Sequence, residues 1–218
     1  MTRFVVVRHG QSVYNLEGRI QGQMDVPLTE LGRAQADAAG EFLKDMHFDA
    51  AYASDLQRAF ETAQRIVAHH PGLEVKPEPE LREIYVGKWQ GMLSSKALEM
   101  YPEEYGKWRR DRWNACAIEG ESTQEAAKRA HDAMWRIAKA HPEETVMVAS
   151  HGGLMHTLLC EWMGEPYERI MELPWIKNAA TYIVDYNVDT GKCMPVLLGE
   201  NSYLDGIDAT DARFKGVV

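Results

Sequence analysis

Residues 2–10 read Thr2-Arg3-Phe4-Val5-Val6-Val7-Arg8-His9-Gly10. Phe4 to Val7 is apolar without alternation and rich in β-branched side chains, the pattern of a strand covered on both faces. It stops abruptly at a cation, an imidazole and a glycine. The same order recurs far along the chain, where Thr145 to Ala149 reads as a second buried strand. It runs into Ser150-His151-Gly152-Gly153 and then an apolar helix from Leu154 to about Trp162.

Between these landmarks strand and helix signals alternate. Thr29 can cap a helix in which Leu31, Ala34, Ala38 and Phe42 recur at three- and four-residue spacing, which predicts their shared face as the buried one. Phe48 to Ala53 reads as a short strand. Ser54-Asp55-Leu56-Gln57 then has the form of a capping box, which puts Arg58 in the first turn of a helix. A second capping box, Ser122 to Glu125, opens a helix with Ala126, Ala130, Ala133 and Ile137 inside and Pro142 beyond its end. Ala180 to Val188 and Met194 to Leu198 read as strands joined by Asp189-Thr190-Gly191. The expected fold is α/β with three layers: a mainly parallel sheet, helices on both faces and an antiparallel edge pair. Residues 88–119, dense in aromatic and basic side chains, are expected to form a helical lid inserted into one domain spanning residues 1–218. The tail from Asn201 to Val218 is expected to be partly disordered.

Composition narrows the function. Hydrophobic residues at 45% and charged residues at 26% fit a globular domain. No apolar run approaches the ~20 residues that span a bilayer, and Phe4 begins the first strand too early for a secretory leader, so a cytoplasmic location is expected. Cys116, Cys160 and Cys193 lack C-x-x-C spacing and are read as reduced thiols. A net charge of −9 opposes binding to nucleic acid or an anionic membrane. A small anionic substrate remains compatible if arginines cluster locally. No Asp-x-Asp pattern, H-E-x-x-H or glycine-rich loop ending in Lys-Ser/Thr is present, so neither a metal nor another cofactor is expected. His69-His70 before Pro71 reads as a solvated helix end.

In open α/β sheets ligands bind beyond the carboxyl ends of strands, where both His9 and His151 fall. Arg8 sets a fixed charge beside His9, and Gly10 lets backbone approach a ligand. Asn15 and the run Gly18 to Gly22, with Gln21, supply polar donors. Arg58, at the positive end of its helix, adds a guanidinium fork. Charge-assisted hydrogen bonds contribute roughly 1.5–3 kcal/mol each, so two arginines and a few donors suffice to hold a phosphoryl group.

At these residues the sequence resembles the histidine phosphatase superfamily, the phosphoglycerate mutase-like proteins. Arg8-His9-Gly10-Gln11-Ser12 with Asn15, and Gly18 through Asp25-Val26-Pro27-Leu28-Thr29, are similar to its opening signature. Ser54 to Ala59 with Thr62, Leu81-Arg82-Glu83 through Gly87 to Gly91, and Ser150-His151-Gly152-Gly153 resemble its later motifs, in order. The resemblance implies that His9 accepts the phosphoryl group while Arg8, Arg58 and His151 bind it. Asn15, Gln21 and Gly152 would add phosphate contacts, and Glu83 would protonate the leaving oxygen. Histidine attacks phosphorus only when neutral, a state that two neighbouring arginines favour.

Within such a family three activities are open: a metal-independent phosphomonoesterase, a cofactor-dependent phosphoglycerate mutase, and an inactive phosphate-binding scaffold. Gly153 stands where the mutases typically carry asparagine, and the segment from Glu83 to His151 is shorter than theirs, so hydrolysis is the leading expectation. The partner is then a small phosphorylated metabolite: a sugar phosphate, a phosphoglycerate derivative or a phosphoribosyl ester. In the lid, Tyr105, Trp108 and Trp113 can either stack on it or pack the lid down. Lys107, Arg109, Arg110 and Arg112 can meet a second acidic group.

Overall fold

The first strand, β1 (Thr2–Arg8), lies near the centre of a six-stranded sheet, and its alternate side chains enter two separate cores. Phe4 and Val6 face one, Val5 and Val7 the other, and all are essentially inaccessible. That is why the run shows no polar alternation: burying each such side chain contributes about 1.5–3 kcal/mol on either face. The computed structural model describes residues 1–207. The part of the tail expectation that concerns residues 208–218 lies outside the described residues. Ser202–Leu204 forms a 3-10 turn with Leu204 buried.

After a short helix α1 (Val13–Glu17), the elements follow as α2 (Glu30–Leu43), β2 (Ala50–Ala53), α3 (Gln57–Val67), β3 (Val75–Pro77), α4 (Ser94–Met100), α5 (Glu104–Arg110) and α6 (Thr123–Ala140). The chain continues through β4 (Thr145–Ser150), α7 (Gly152–Met163), β5 (Thr181–Asn187) and β6 (Lys192–Glu200). The sheet order is β3-β2-β4-β1-β5-β6, parallel from β3 to β1 and antiparallel across β5 and β6. Helices α2 and α3 cover the face of Val5 and Val7, while α6 and α7 cover the face of Phe4 and Val6. The expected three-layer α/β fold with its antiparallel edge pair is the fold observed.

Several local expectations change. The buried face of α2 is Gly32, Gln35, Ala36, Ala39, Gly40 and Leu43, whereas Ala34 and Phe42 are exposed. Small side chains let this helix approach the loop after β1, and Phe42 instead stacks on Tyr203. Ser54 does not cap α3: the cap position is Leu56, without a side-chain bond, and the Gln57 amide donates to Asp25 Oδ1 at 2.8 Å. The cap thus comes from a distant loop, which frees Ser54 for the site described below. Thr29 and the Ser122–Glu125 box do cap α2 and α6.

Residues 88–119 contain α4 and α5 joined by a short turn. Tyr105 is buried edge-on against Trp89, with ring centroids 5.1 Å apart, and Trp113 stacks on Tyr167 at 4.2 Å. These two aromatics pack the segment down. The three cysteines are unpaired. No helix among the described residues is long and apolar enough to cross a membrane.

Candidate active site

Strand register builds the site. In the β1–β4 pair Arg8 lies opposite Ser150, so the next residues, His9 and His151, leave the sheet side by side. Their ring centroids are 5.2 Å apart, and the His9 amide donates to the Ser150 carbonyl at 2.9 Å. On the other side of β4, Ala53 pairs with Ala149, which brings Ser54 to the same edge. Three neighbouring carboxyl ends therefore deliver His9, His151 and Ser54 to one spot, as expected for an α/β sheet.

His9 is buried, and its Nδ1 lies 2.6 Å from the Gly10 carbonyl. A carbonyl only accepts, so Nδ1 carries the proton and Nε2 keeps its lone pair. Burial pushes the imidazole's pKa well below its usual value, and the charges of Arg58 and then Arg8 push it further down. The lone pair is thus held unprotonated. His151 is buried and depressed in the same way, by burial first, then Arg58 and His9. Its Nε2 lies 2.8 Å from Ser54 Oγ, while its Nδ1 has no partner among the described residues. With Ser54 donating to Nε2, Nδ1 bears an unused N–H.

Arg58 sits in the first turn of α3 and is fully buried. Its Nη1 and Nη2 donate to the carbonyls of Met24 and Gly22 at 2.7 and 2.8 Å, while Nε has no partner among the described residues. Burial lowers its pKa to about 10, opposed by the negative charge of Glu83, so it stays cationic at neutral pH. Thr62 fixes this turn to the nucleophile loop, donating to the Arg58 carbonyl at 2.7 Å and accepting the Gly10 amide at 3.2 Å. Arg8, also buried, donates to the Ile176 carbonyl and lies under the Trp175 indole.

Glu83 lies across from these cations. Its Oε2 accepts the Gly153 amide at 2.8 Å, and its Oε1 accepts the amides of Ile84 and Leu154 at 2.9 and 2.8 Å. It therefore occupies the N-terminus of α7, where the first backbone amides of the helix orient its carboxyl group. Oε2 keeps one lone pair on which a transferable proton can sit. The Glu83 carbonyl is held by Arg129 Nη2 at 3.0 Å and Gln23 Nε2 at 3.1 Å. Gly152 and Gly153 are bare because the site is tight. A Cβ at Gly152 would lie 2.9 Å from Arg8 Nε, and one at Gly153 would lie 2.7 Å from Glu83 Oε1.

The two amide side chains named from the sequence are oriented by their oxygens. Asn15 Oδ1 accepts from the Ser12 amide at 3.1 Å and from Asn178 Nδ2 at 3.2 Å; Gln21 Oε1 accepts from Ser12 Oγ at 2.6 Å. Among the described residues, each is left with its NH2 group as the end that makes no hydrogen bond. The structure thus brings His9, His151, Arg8, Arg58 and Glu83 together, with Gly152 against Arg8 and Asn15 and Gln21 tied through Ser12. Sequence reading missed the part played by Ser54, Asn178 and Trp175. Asn178 also donates to the His9 carbonyl at 3.0 Å; it and Trp175 stand in an irregular loop with no periodic signal. Among the described residues no group of His, Cys, Asp or Glu side chains is arranged to hold a metal ion.

Residues 4–196 match the family model of the histidine phosphatase superfamily, branch 1. Phosphoglycerate mutase-like protein 4 of Arabidopsis thaliana is 40% identical over 71% of this chain and 68% of its own length. Phosphoserine phosphatase 1 of Hydrogenobacter thermophilus is 35% identical over 75% of this chain and 77% of its own. Among solved structures, Bacillus stearothermophilus YhfR superposes with a TM-score of 0.88 at 27% identity, covering 94% of this chain and all of that one. The chain belongs to the histidine phosphatase superfamily.

Proposed function

We propose that this superfamily member hydrolyses a small phosphomonoester without a metal, through a phosphohistidine formed at His9. The observation that carries the reading is the unprotonated Nε2 of His9, buried between two guanidinium groups and an imidazole. Support comes from two buried nitrogens beside it that have no partner among the described residues, Arg58 Nε and His151 Nδ1, the second bearing a proton when Ser54 donates to Nε2. Buried donors are rarely left unmet, and the oxygens of a phosphoryl group satisfy them.

The chemistry follows from the placement. A substrate phosphoryl group takes its oxygens to Arg8, Arg58, His151 and the amide ends of Asn15 and Gln21, with the amide of Gly152 at the α7 terminus adding to the cradle. His9 Nε2 attacks phosphorus, the ester P–O bond breaks, and Glu83 passes its proton to the departing alkoxide. Water then attacks the phosphohistidine, Glu83 takes up the water proton, the N–P bond breaks, and inorganic phosphate leaves. Uncatalysed monoester hydrolysis is among the slowest of biological reactions, so stabilising charge on the transferring oxygens must dominate, which the ring of cations provides.

The test is turnover of a chromogenic aryl phosphate in excess EDTA together with acid-quench trapping of labelled enzyme. Metal-independent turnover with acid-labile phosphoprotein is the expected result. Phosphoglycerate interconversion that depends on a bisphosphate primer, without net hydrolysis, would move the chain to the mutase reading. Binding of phosphate with neither activity would leave a scaffold.

A further inference from the structure

We infer that Arg129 is a positioning residue for the proton donor: with Glu121 it fixes the irregular segment that carries Glu83, so that its loss slows above all those esters whose leaving oxygen needs a proton. The inference rests on the phosphatase reading for the role of Glu83 and adds to it a residue that touches neither nucleophile nor phosphate.

Glu83 stands in a stretch without regular structure, between 3-10 turns at Pro79–Leu81 and Gly87–Trp89. No strand or helix ladder holds its main chain, so other groups must take up the carbonyls there. Arg129, in α6, does so with one side chain. Its Nη1 donates to the Glu80 carbonyl at 2.7 Å and its Nη2 to the Glu83 carbonyl at 3.0 Å. Along its other edge Nε and Nη2 donate to Glu121 Oε2 and Oε1 at 3.0 and 2.7 Å, the paired geometry that a guanidinium offers a carboxylate and an ammonium cannot. With side chains only 16% and 18% exposed, this pair is set apart from the solvated ion pairs of the surface.

Glu121 closes the arrangement. Its Oε1 also accepts the Tyr85 amide at 2.7 Å, and its own amide donates to the Tyr85 carbonyl at 2.8 Å. The fit there is close, since a Cβ at Gly120 would lie 2.5 Å from the Tyr85 carbonyl oxygen. Bonds at Glu80, Glu83 and Tyr85 thus bracket the donor along the chain, while its carboxyl group takes the amides of Ile84, Gly153 and Leu154. Gly153 and Leu154 belong to α7, so the carboxyl group keeps those bonds only while its segment stays in place against that helix. Arg129 stands on α6, which packs beside α7. The guanidinium therefore refers the donor's main chain to the same pair of helices that receives its side chain.

Leaving-group dependence separates this role from general support of the fold. A dinitrophenolate departs readily as the anion, whereas a phenolate needs the proton of a general acid, and kcat/KM reports the step in which either one leaves. Both esters, phenyl phosphate and dinitrophenyl phosphate, are measured with the full chain. Arg129→Gln is expected to lower the ratio of their kcat/KM values, phenyl over dinitrophenyl, roughly 10-fold or more, because misplacing a proton donor is costly only where the proton is needed. Arg129→Lys keeps the charge, which also weighs on His151 after burial, Arg58 and His9, but cannot span two carbonyls and Glu121. It should lower the same ratio ~3-fold or more, which a loss of charge cannot explain. A wild-type ratio in either folded variant overturns the inference, including the case in which both esters slow alike, since a purely structural arginine behaves so. Should the glutamine variant fail to fold, the lysine variant decides alone. A wild-type chain that turns over neither ester would instead remove the phosphatase reading itself, so the two failures are distinguishable.

Discussion

Glu83 lies against the bare α-carbon of Gly153: its Oε2 takes the Gly153 amide at 2.8 Å, and a Cβ added there would stand 2.7 Å from Oε1. Gly153→Ala must therefore displace the carboxylate and disturb its bonds from Gly153 and Leu154. Misplacing a proton donor by about an ångström costs on the order of 100-fold. The expected outcome is a fall in kcat/KM of that order on an aryl phosphate, with about 1–3 kcal/mol of stability lost in urea unfolding. Wild-type kinetics in this variant would remove Glu83 from the reaction.

His9→Ala removes the proposed nucleophile. Acid-labile phosphoenzyme, trapped after rapid quench with labelled substrate, should disappear. Inorganic phosphate should still raise the melting temperature, because Arg58 and His151 retain their unmet donors. Label persisting on the variant would mean that another side chain is the nucleophile.

Arg58→Lys keeps a positive charge but loses the fork that links the Gly22 and Met24 carbonyls to the site. Two bonds that fix the loop of residues 22–24 cannot both be replaced by a single ammonium group that also faces the phosphoryl group. We expect kcat/KM to fall ~10-fold or more, and unchanged kinetics would place Arg58 outside the transition state.

What was legible in the sequence was whatever local chemistry encodes. The unbroken apolar runs ending at His9 and His151 located the paired strand ends, and the Thr29 and Ser122 caps were readable because each acts within a few residues. Ser54 was misread because its pattern imitates a cap whose true acceptor, Asp25, is a neighbour only in space. The face of α2 differs because the spacing of Leu31, Ala34, Ala38 and Phe42 treats glycine as a non-core residue, whereas close packing selects Gly32, Ala36 and Ala39 for being small. Strand β3, only Val75–Pro77 and exposed at Lys76 and Pro77, carries too short a pattern to be seen. The basic cluster of residues 107–112 was visible as composition, but only packing distinguishes buried Arg112 from half-buried Arg109 and exposed Lys107 and Arg110. Trp175 and Asn178 act through loop geometry that no periodicity announces.

Acid should destabilise the fold through its buried imidazoles. His9 and His151 are neutral when folded because burial holds their pKa values well below the ordinary 6.5, and His156 is lowered to about 4. The unfolded chain binds protons at these positions from about pH 6.5 downward while the folded chain does not, so the unfolded state gains protons first. Stability present above that pH is therefore lost as pH falls, and for His156 the loss continues until about pH 4. Each histidine contributes a slope of up to ~1.4 kcal/mol per pH unit in its window. Urea unfolding at pH 7 and pH 5 should show a marked drop in midpoint, with inorganic phosphate restoring part of it by occupying the cationic site. A flat profile between those pH values would mean that the imidazoles take up protons without unfolding, and with that the unprotonated state of His9 on which the proposed nucleophilic attack depends would be lost.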